Sequence, residues 1–280
     1  MNDDDMTRAE IWLHDRLKQH PNIESLAMRL GYSVSQVRRN FKNRFGLTPG
    51  AYRDRLKLER AALLLGTTEY HVSWIAKECG YYNHSAFSRA FQHLFHCNPR
   101  VYRESFRRRQ FERYNLNPFP FRFTIKHLAP RYALLARRYG YQDESLAIID
   151  WQHYARLLLL EQRGLAGKPF WVIQDHPDIT AKHRIRVDYG LLIDATTADE
   201  LAPPLPFRIV KLPACRNVCL KIGSLCELDS AYLFLQAQGL PIAGESPDGS
   251  PGTLTWLEGE PGENTKGRIE VSLPVAGSSA

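Results

Sequence analysis

Ala27–Arg53 reads AMRLGYSVSQVRRNFKNRFGLTPGAYR and Ala76–Arg103 reads AKECGYYNHSAFSRAFQHLFHCNPRVYR; the second stretch is the first written again. Ala27 and Gly31 recur as Ala76 and Gly80 at an offset of 49, whereas Arg39, Phe41, Phe45, Pro49, Tyr52 and Arg53 recur as Arg89, Phe91, Phe95, Pro99, Tyr102 and Arg103 at an offset of 50. One residue has entered the second copy at its turn. Each copy reads as a short apolar helix, a Gly-centred turn and a longer helix, the helix-turn-helix order that sets a second helix into a DNA major groove. Ser33 and Gln36 have capping-box spacing, which fixes the start of the first long helix. Asn83 is the matching N-cap in the second copy.

At about 100° per residue, Val37, Phe41 and Phe45 fall on one stripe of their helix, as do Phe87, Phe91 and Phe95. These aromatics read as buried faces. Arg39 lies about 160° from the centre of its stripe, with Ser35 and Lys42 nearby. Arg89, Ser85 and Gln92 hold the equivalent places in the second copy. A core cannot require a shared outward Ser and Arg. An arginine so placed can fork onto guanine or phosphate, and a small serine lets the backbone approach a base edge. Between the copies, Ala51–Leu65 is periodic and free of Gly and Pro, which predicts a helix. Its length of roughly 23 Å at 1.5 Å per residue would hold the two units apart rigidly. Recognition helices about 34 Å apart meet successive major grooves on one DNA face.

The chain has 280 residues, 44% apolar and 24% charged, enough for two domains with their own cores. Its net charge of +7 is segregated: residues 1–113 carry 20 Lys and Arg against 12 Asp and Glu, and the remainder 17 against 18. The basic half therefore expects a polyanion, whose counterions are released as phosphates are neutralised. No stretch approaches the roughly 20 apolar residues of a membrane span, so no membrane partner is expected. The acidic start MNDDDM lacks the features of a secretory signal and reads as a frayed terminus, with the protein in the cytoplasm. Five scattered cysteines make no disulfide framework. Cys215, Cys219 and Cys226 lack the pairing of a zinc site and read as small buried side chains; neither a metal nor a cofactor is expected.

With their GY turns and paired P-x-x-Y-R endings, Pro49–Arg53 and Pro99–Arg103, the two copies resemble the helix-turn-helix units of AraC/XylS-type transcription regulators. The resemblance covers about the first 110 residues, and the order, DNA-binding domain first, resembles the Rob-type subgroup. It implies base-reading positions at Ser35, Arg38 and Arg39, and at His84, Ser85 and Arg89. With the residues on the outward faces, the candidate DNA-binding set is Ser35, Gln36, Arg38, Arg39, Lys42, His84, Ser85, Arg89 and Gln92. Ser35 stands where several relatives carry a tryptophan that packs on thymine methyls, so no operator sequence carries over. His96 stands where the family usually has the glycine seen at Gly46; histidine tolerates a left-handed backbone comparatively well. Double-stranded DNA and RNA polymerase are the implied partners.

Arg107–Arg109 form a basic run, either a solvated helix end or a phosphate contact, and Tyr114–Pro120, with two prolines, reads as a linker between a domain over 1–113 and one over 121–275. Beyond it, segments 122–128 and 132–139 precede a helix near 145–163, followed by 170–175 and 185–194. The order then recurs as 207–212, 217–222, a helix near 228–238, 254–257 and 268–273. The fold class expected is thus multidomain: an all-α double helix-turn-helix domain, then an α+β domain of two β-β-α-β-β halves with a cleft between them. Residues 127–194, including RYGYQDESLAIIDWQHY and QDHPDIT, resemble the GyrI-like small-molecule-binding domain. That resemblance implies a pocket for a small hydrophobic effector, with Tyr139, Tyr141, Trp151, Tyr189 and Trp256 as candidate lining residues. The glutamate that neutralises cationic ligands in many such domains falls at Thr255, with Glu258 and Glu260 nearby.

The function these features point to is sequence-specific DNA binding and transcription regulation, modulated through the second domain, and not an enzyme. The alternatives are a small-molecule hydrolase or a ligand-sequestering protein built on the GyrI-like domain. No Ser-His-Asp, P-loop or paired-carboxylate constellation supports the hydrolase.

Overall fold

The computed structural model describes residues 3–17, 19, 22–116, 118–140, 151–156, 165, 167–203, 205–261 and 268–276. The chain divides into two compact units, Met1–Arg107 and Arg108–Ala280. The division falls inside a continuous helix, Pro99–Leu116, so residues 114–116 of the expected linker are helical. An X-Pro step ends a helix more reliably than it marks a domain edge, and here the helix stops just short of Pro118.

The first unit is helical: α1 Asp3–Asp15, α2 Ile23–Leu30, α3 Val34–Phe45, α4 Pro49–Thr67, α5 Val72–Glu78, α6 His84–Phe95 and the start of α7 Pro99–Leu116. The N-terminus departs from expectation, because Asp3–Asp5 form the first turn of α1 instead of fraying. Tyr32 donates its hydroxyl hydrogen to Asp5 Oδ2 at 2.9 Å, which ties that turn to the first helix-turn-helix unit. The apolar face of α1 (Met6, Ala9 and Leu13) packs with Leu26, Ala27, Val37, Phe41, Tyr52 and Leu56 in one buried cluster. The connecting helix α4 is longer than the periodic stretch predicted, because Thr48 caps it by accepting from the Ala51 amide and Pro49 occupies its first turn.

The second unit is strand-rich α+β. Its strands are β1 Phe123–Leu128, β2 Arg131–Tyr139, β3 Lys168–Ile173, β4 Arg186–Ile193, β5 Arg208–Leu212, β6 Cys215–Ile222, β7 Ser246–Pro247, β8 Gly252–Trp256 and β9 Ile269–Ala276. Among the described residues they form one antiparallel sheet ordered β1-β6-β9-β8-β3-β4-β2-β5, with β7 on β9. The order is palindromic: β1 and β5, β6 and β2, β9 and β4, β8 and β3 stand at mirror positions about the central β3–β8 pair. Gly190 sets the closest approach within it; a Cβ there would lie 1.7 Å from the Leu134 carbonyl oxygen on the paired strand.

Helical structure in this unit comprises residues 151–156, α8 Ala195–Glu200, α9 Leu228–Phe234, a π turn Leu235–Gly239 and α10 Leu240–Ala243. The remainder of the helix expected near 145–163 lies outside the described residues. Strand alternation sorts the sheet faces. Leu134, Trp171, Tyr189, Leu254 and Trp256 belong to the cluster that also holds Trp151, Phe207 and Phe234, whereas Ala133, Leu135, Phe170 and Val172 form a separate cluster. Among the described residues no helix is long and apolar enough to cross a membrane.

Candidate nucleic-acid interface

The two helix-turn-helix units repeat their aromatic packing closely. In the first, Phe41 lies 4.6 Å from Phe45 and meets Tyr52 edge-on, 5.3 Å away at 80°. In the second, Phe91 lies 4.6 Å from Phe95 and meets Tyr102 edge-on, 5.3 Å away at 83°. Val37, Phe41, Phe87 and Phe91 are fully buried, as their stripes require. Each turn uses a left-handed glycine, Gly31 at φ 74° and Gly80 at φ 76°, a conformation that costs glycine little.

The starts and ends of the long helices are fixed by side chains. The Ser33 amide donates to Gln36 Oε1 at 2.9 Å, and the Gln36 amide donates to Ser33 Oγ at 3.3 Å, completing the capping box. The Ala86 amide donates to Asn83 Oδ1 at 2.7 Å. Gly46 and His96 close the two helices in the left-handed region, at φ 74° and 59°, so histidine does take glycine's place. Asn98 and Thr48 then cap the helices that follow, each accepting from the amide three residues on.

This packing leaves Ser35, Gln36, Arg38, Arg39, Lys42, His84, Ser85, Arg89 and Gln92 all exposed on α3 and α6. Two of them have local duties. Gln36 uses its carbonyl oxygen in the capping box, and His84 Nδ1 lies 3.4 Å from Ser88 Oγ one turn on. The charge on the two faces is unequal. Helix α3 presents Arg38, Arg39 and Lys42, with Arg44 beyond them, whereas α6 presents Arg89 as its one arginine or lysine.

The basic residues after the second unit serve the fold. Arg103 donates from Nε to the Leu65 carbonyl at 3.1 Å and from Nη2 to the Tyr70 carbonyl, and Arg107 donates to the Gly66 and Thr68 carbonyls and to Glu69. Together they satisfy carbonyls freed where α4 ends. Burial, then the neighbouring Arg107 charge, holds the Arg103 pKa below its ordinary value. Of the run 107–109, therefore, Arg107 is spent on carbonyls, while Arg108 and Arg109 are exposed.

In the second unit the effector candidates separate. Trp151, Tyr189 and Trp256 are buried in one cluster, Tyr139 is half-buried, and Tyr141 lies outside the described residues. Trp171, which sequence reading missed, joins them: its ring centroid lies 4.6 Å from those of both Tyr189 and Trp256. Its signal was faint, because in KPFWVI both faces of the strand are apolar and alternation does not single out one residue. Trp171 Nε1 is buried without a hydrogen-bond partner among the described residues.

Thr255 is buried on the opposite sheet face, beside Phe170 and Glu270 in register, and Glu258 and Glu260 are exposed. A carboxylate at position 255 would therefore point away from the aromatic cluster. Of the cysteines, Cys219 is buried and Cys215 half-buried, but Cys226 is exposed, contrary to the reading of all three as core. No group of His, Cys, Asp and Glu able to hold a metal occurs among the described residues.

Residues 26–105 match the family model of a helix-turn-helix domain. The chain is 32% identical over 103 residues to the HTH-type transcriptional activator RhaS of Salmonella arizonae, covering 37% of this chain and 37% of that protein. It thus spans little more than a third of the length of the curated relatives it matches. Among solved structures it is similar to a transcriptional regulator of Chromobacterium violaceum with an AraC-type DNA-binding domain, at 28% identity over 36% of this chain and 90% of that one, TM-score 0.35. It is likewise similar to the DNA-binding domain of AdpA in complex with a target DNA, at 26% identity over 37% of this chain and 94% of that one, TM-score 0.35. Residues 26–105 thus form a helix-turn-helix domain similar to those of AraC-type transcription regulators.

Proposed function

We propose that this chain is a sequence-specific transcription regulator that lays α3 and α6 into successive major grooves of one DNA face. The observation that carries this reading is the pair of matched outward residues, Ser35 with Arg39 and Ser85 with Arg89, exposed on helices whose inward packing repeats to a tenth of an ångström in two ring contacts. Burial accounts for the repeated aromatics but not for the repeated serine and arginine. Arginine reads guanine through its two-pronged donor face, and Ser35 or Ser85 leaves room for the helix to approach.

The second unit is read as GyrI-like, with two β-β-α-β-β halves, a reading the palindromic strand order supports. It takes a small hydrophobic effector against Trp171, Tyr189 and Trp256, with Trp151 close by. RNA polymerase is the partner through which DNA binding would change transcription.

The experiment is genome-wide mapping of sites bound by the full chain, followed by titration of the best site with Arg39→Ala and Arg89→Ala. Each substitution should weaken that site by about 1–3 kcal/mol while binding to random DNA falls much less. Wild-type affinity in both variants would refute the reading.

A further inference from the structure

A hollow of about 570 Å³ opens beside the first turn of α6, lined by His71, Ser73, His84, Ser88, Arg100, Arg103 and Glu104 among others. It lies where α5 begins, α6 begins and α7 begins. Of its cations, Arg103 is committed to the Leu65 and Tyr70 carbonyls. Arg100 is different: its ion pair to Glu104 is 4.0 Å long, with the two side chains 87% and 71% exposed. Such a contact is worth little in water, so the guanidinium is available to an outside anion.

The first helix-turn-helix copy has other residues at the matching positions. By the repeat, Arg100 corresponds to Gly50, Ser73 to Glu24, His71 to Asn22 and Ser88 to Arg38. The first copy thus carries its cations on α3, with Glu24 at the place of Ser73, whereas the second carries few cations on α6 and lines the hollow with Arg100, Arg103, His71 and His84 against one acid, Glu104. A helix seated in the major groove brings the preceding helix across the sugar-phosphate backbone, so the hollow between α5 and the start of α6 faces a strand.

We infer that this hollow is a phosphate subsite of the second helix-turn-helix copy, with Arg100 as its principal charge and the Ser73, Ser88, His71 and His84 side chains as supplementary donors. The inference rests on the DNA-binding reading above. It divides the work between the copies: α3 both neutralises phosphate and reads bases, while in the second copy α6 reads bases and the flanking hollow neutralises phosphate.

The test is the salt dependence of binding by the full chain to its mapped site and to a random duplex, for wild type, Arg100→Ala and Ser73→Glu. Both positions are exposed, and the melting temperature of each variant verifies the fold. Arg100→Ala should lower the slope of log affinity against log salt by about 0.9, the loss of one phosphate contact, and weaken both duplexes by the same factor. Ser73→Glu, which copies Glu24 into the hollow, should weaken both further at low salt than at high salt. An unchanged slope in Arg100→Ala, with wild type binding its site, would overturn the subsite alone, as would a loss confined to the specific duplex, which would make Arg100 a base reader. Failure of wild type to bind any duplex would instead overturn the DNA-binding reading and the subsite with it.

Discussion

Asp188 shows how a single buried charge is kept in this protein. It is fully buried, yet Arg137 donates to it from Nε at 2.8 Å and from Nη2 at 2.9 Å, Arg208 Nη2 at 2.9 Å and Gln174 Nε2 at 2.7 Å. Burial by itself would raise the carboxyl pKa; the Arg137 and Arg208 charges and their hydrogen bonds outweigh it and hold the group well below the usual carboxylate range. A folded pKa below the unfolded value of about 3.9 means that this stabilisation is present above that pH and is lost as pH falls. Asp188→Asn should cost about 3–5 kcal/mol, because the buried Arg137 loses the Asp188 charge it pairs with, and the variant's stability should lose part of its dependence on pH below about 4. Urea unfolding at neutral and acid pH measures both effects. At the first recognition helix, Ser33→Ala removes one half of the capping box and should cost about 1 kcal/mol, read from the urea midpoint.

The elements of the first unit are tuned at their ends and crossings. His96 holds a left-handed conformation at φ 59° where the other copy has Gly46. An L residue pays roughly 1–2 kcal/mol there, so His96→Gly should raise thermal stability, by up to about 1 kcal/mol once glycine's greater unfolded-state entropy is subtracted. Scanning calorimetry of the two forms tests it. Gly66 near the end of α4 has the opposite character. A Cβ at that position would come within 2.5 Å of the Phe106 ring on α7, and Phe106 is fully buried. Gly66→Ala should therefore destabilise the unit by about 1–3 kcal/mol, even though alanine is the better helix former. An unchanged or increased melting temperature would show that α4 and α7 can separate without cost.

At the scale of the molecule, a basic helical unit is joined to a near-neutral sheet unit, with 17 Lys and Arg against 11 Asp and Glu through residue 107 and 20 against 19 after it. Helices α3 and α6 both belong to the first unit, on either side of a continuous 19-residue α4. The two half-sites of an operator should consequently keep the spacing of about one helical turn, 10–10.5 base pairs. Inserting about half a turn of DNA between them should abolish specific binding, because one recognition helix then faces the wrong side of the duplex; a gel-shift series over inserted lengths measures this. A protein that bound the lengthened site unchanged would have its recognition helices on a flexible tether, which a continuous α4 does not provide.

The sequence by itself determined the duplicated unit: the stripes of Phe41 and Phe91, the Ser33–Gln36 box, the glycine turns and the outward Ser35, Arg39, Ser85 and Arg89. Those features are local, set by helical period and by caps that span three residues, so spacing alone reveals them. The strand segments of the second half were legible to within a few residues for the same reason. Only the tertiary structure decided what depends on partners distant in sequence. It drew Asp3–Asp5 into α1 through Tyr32, carried α7 through the expected linker, and turned Arg107 onto carbonyls some 40 residues away. It brought Trp171 between Tyr189 and Trp256, and put Thr255 on the other sheet face. It also gathered His71, Ser73, His84 and Arg100 around one hollow. The physical reason is common to all of these: period and capping act within a turn or two of chain, whereas strand pairing and helix crossing join residues whose separation no local pattern encodes.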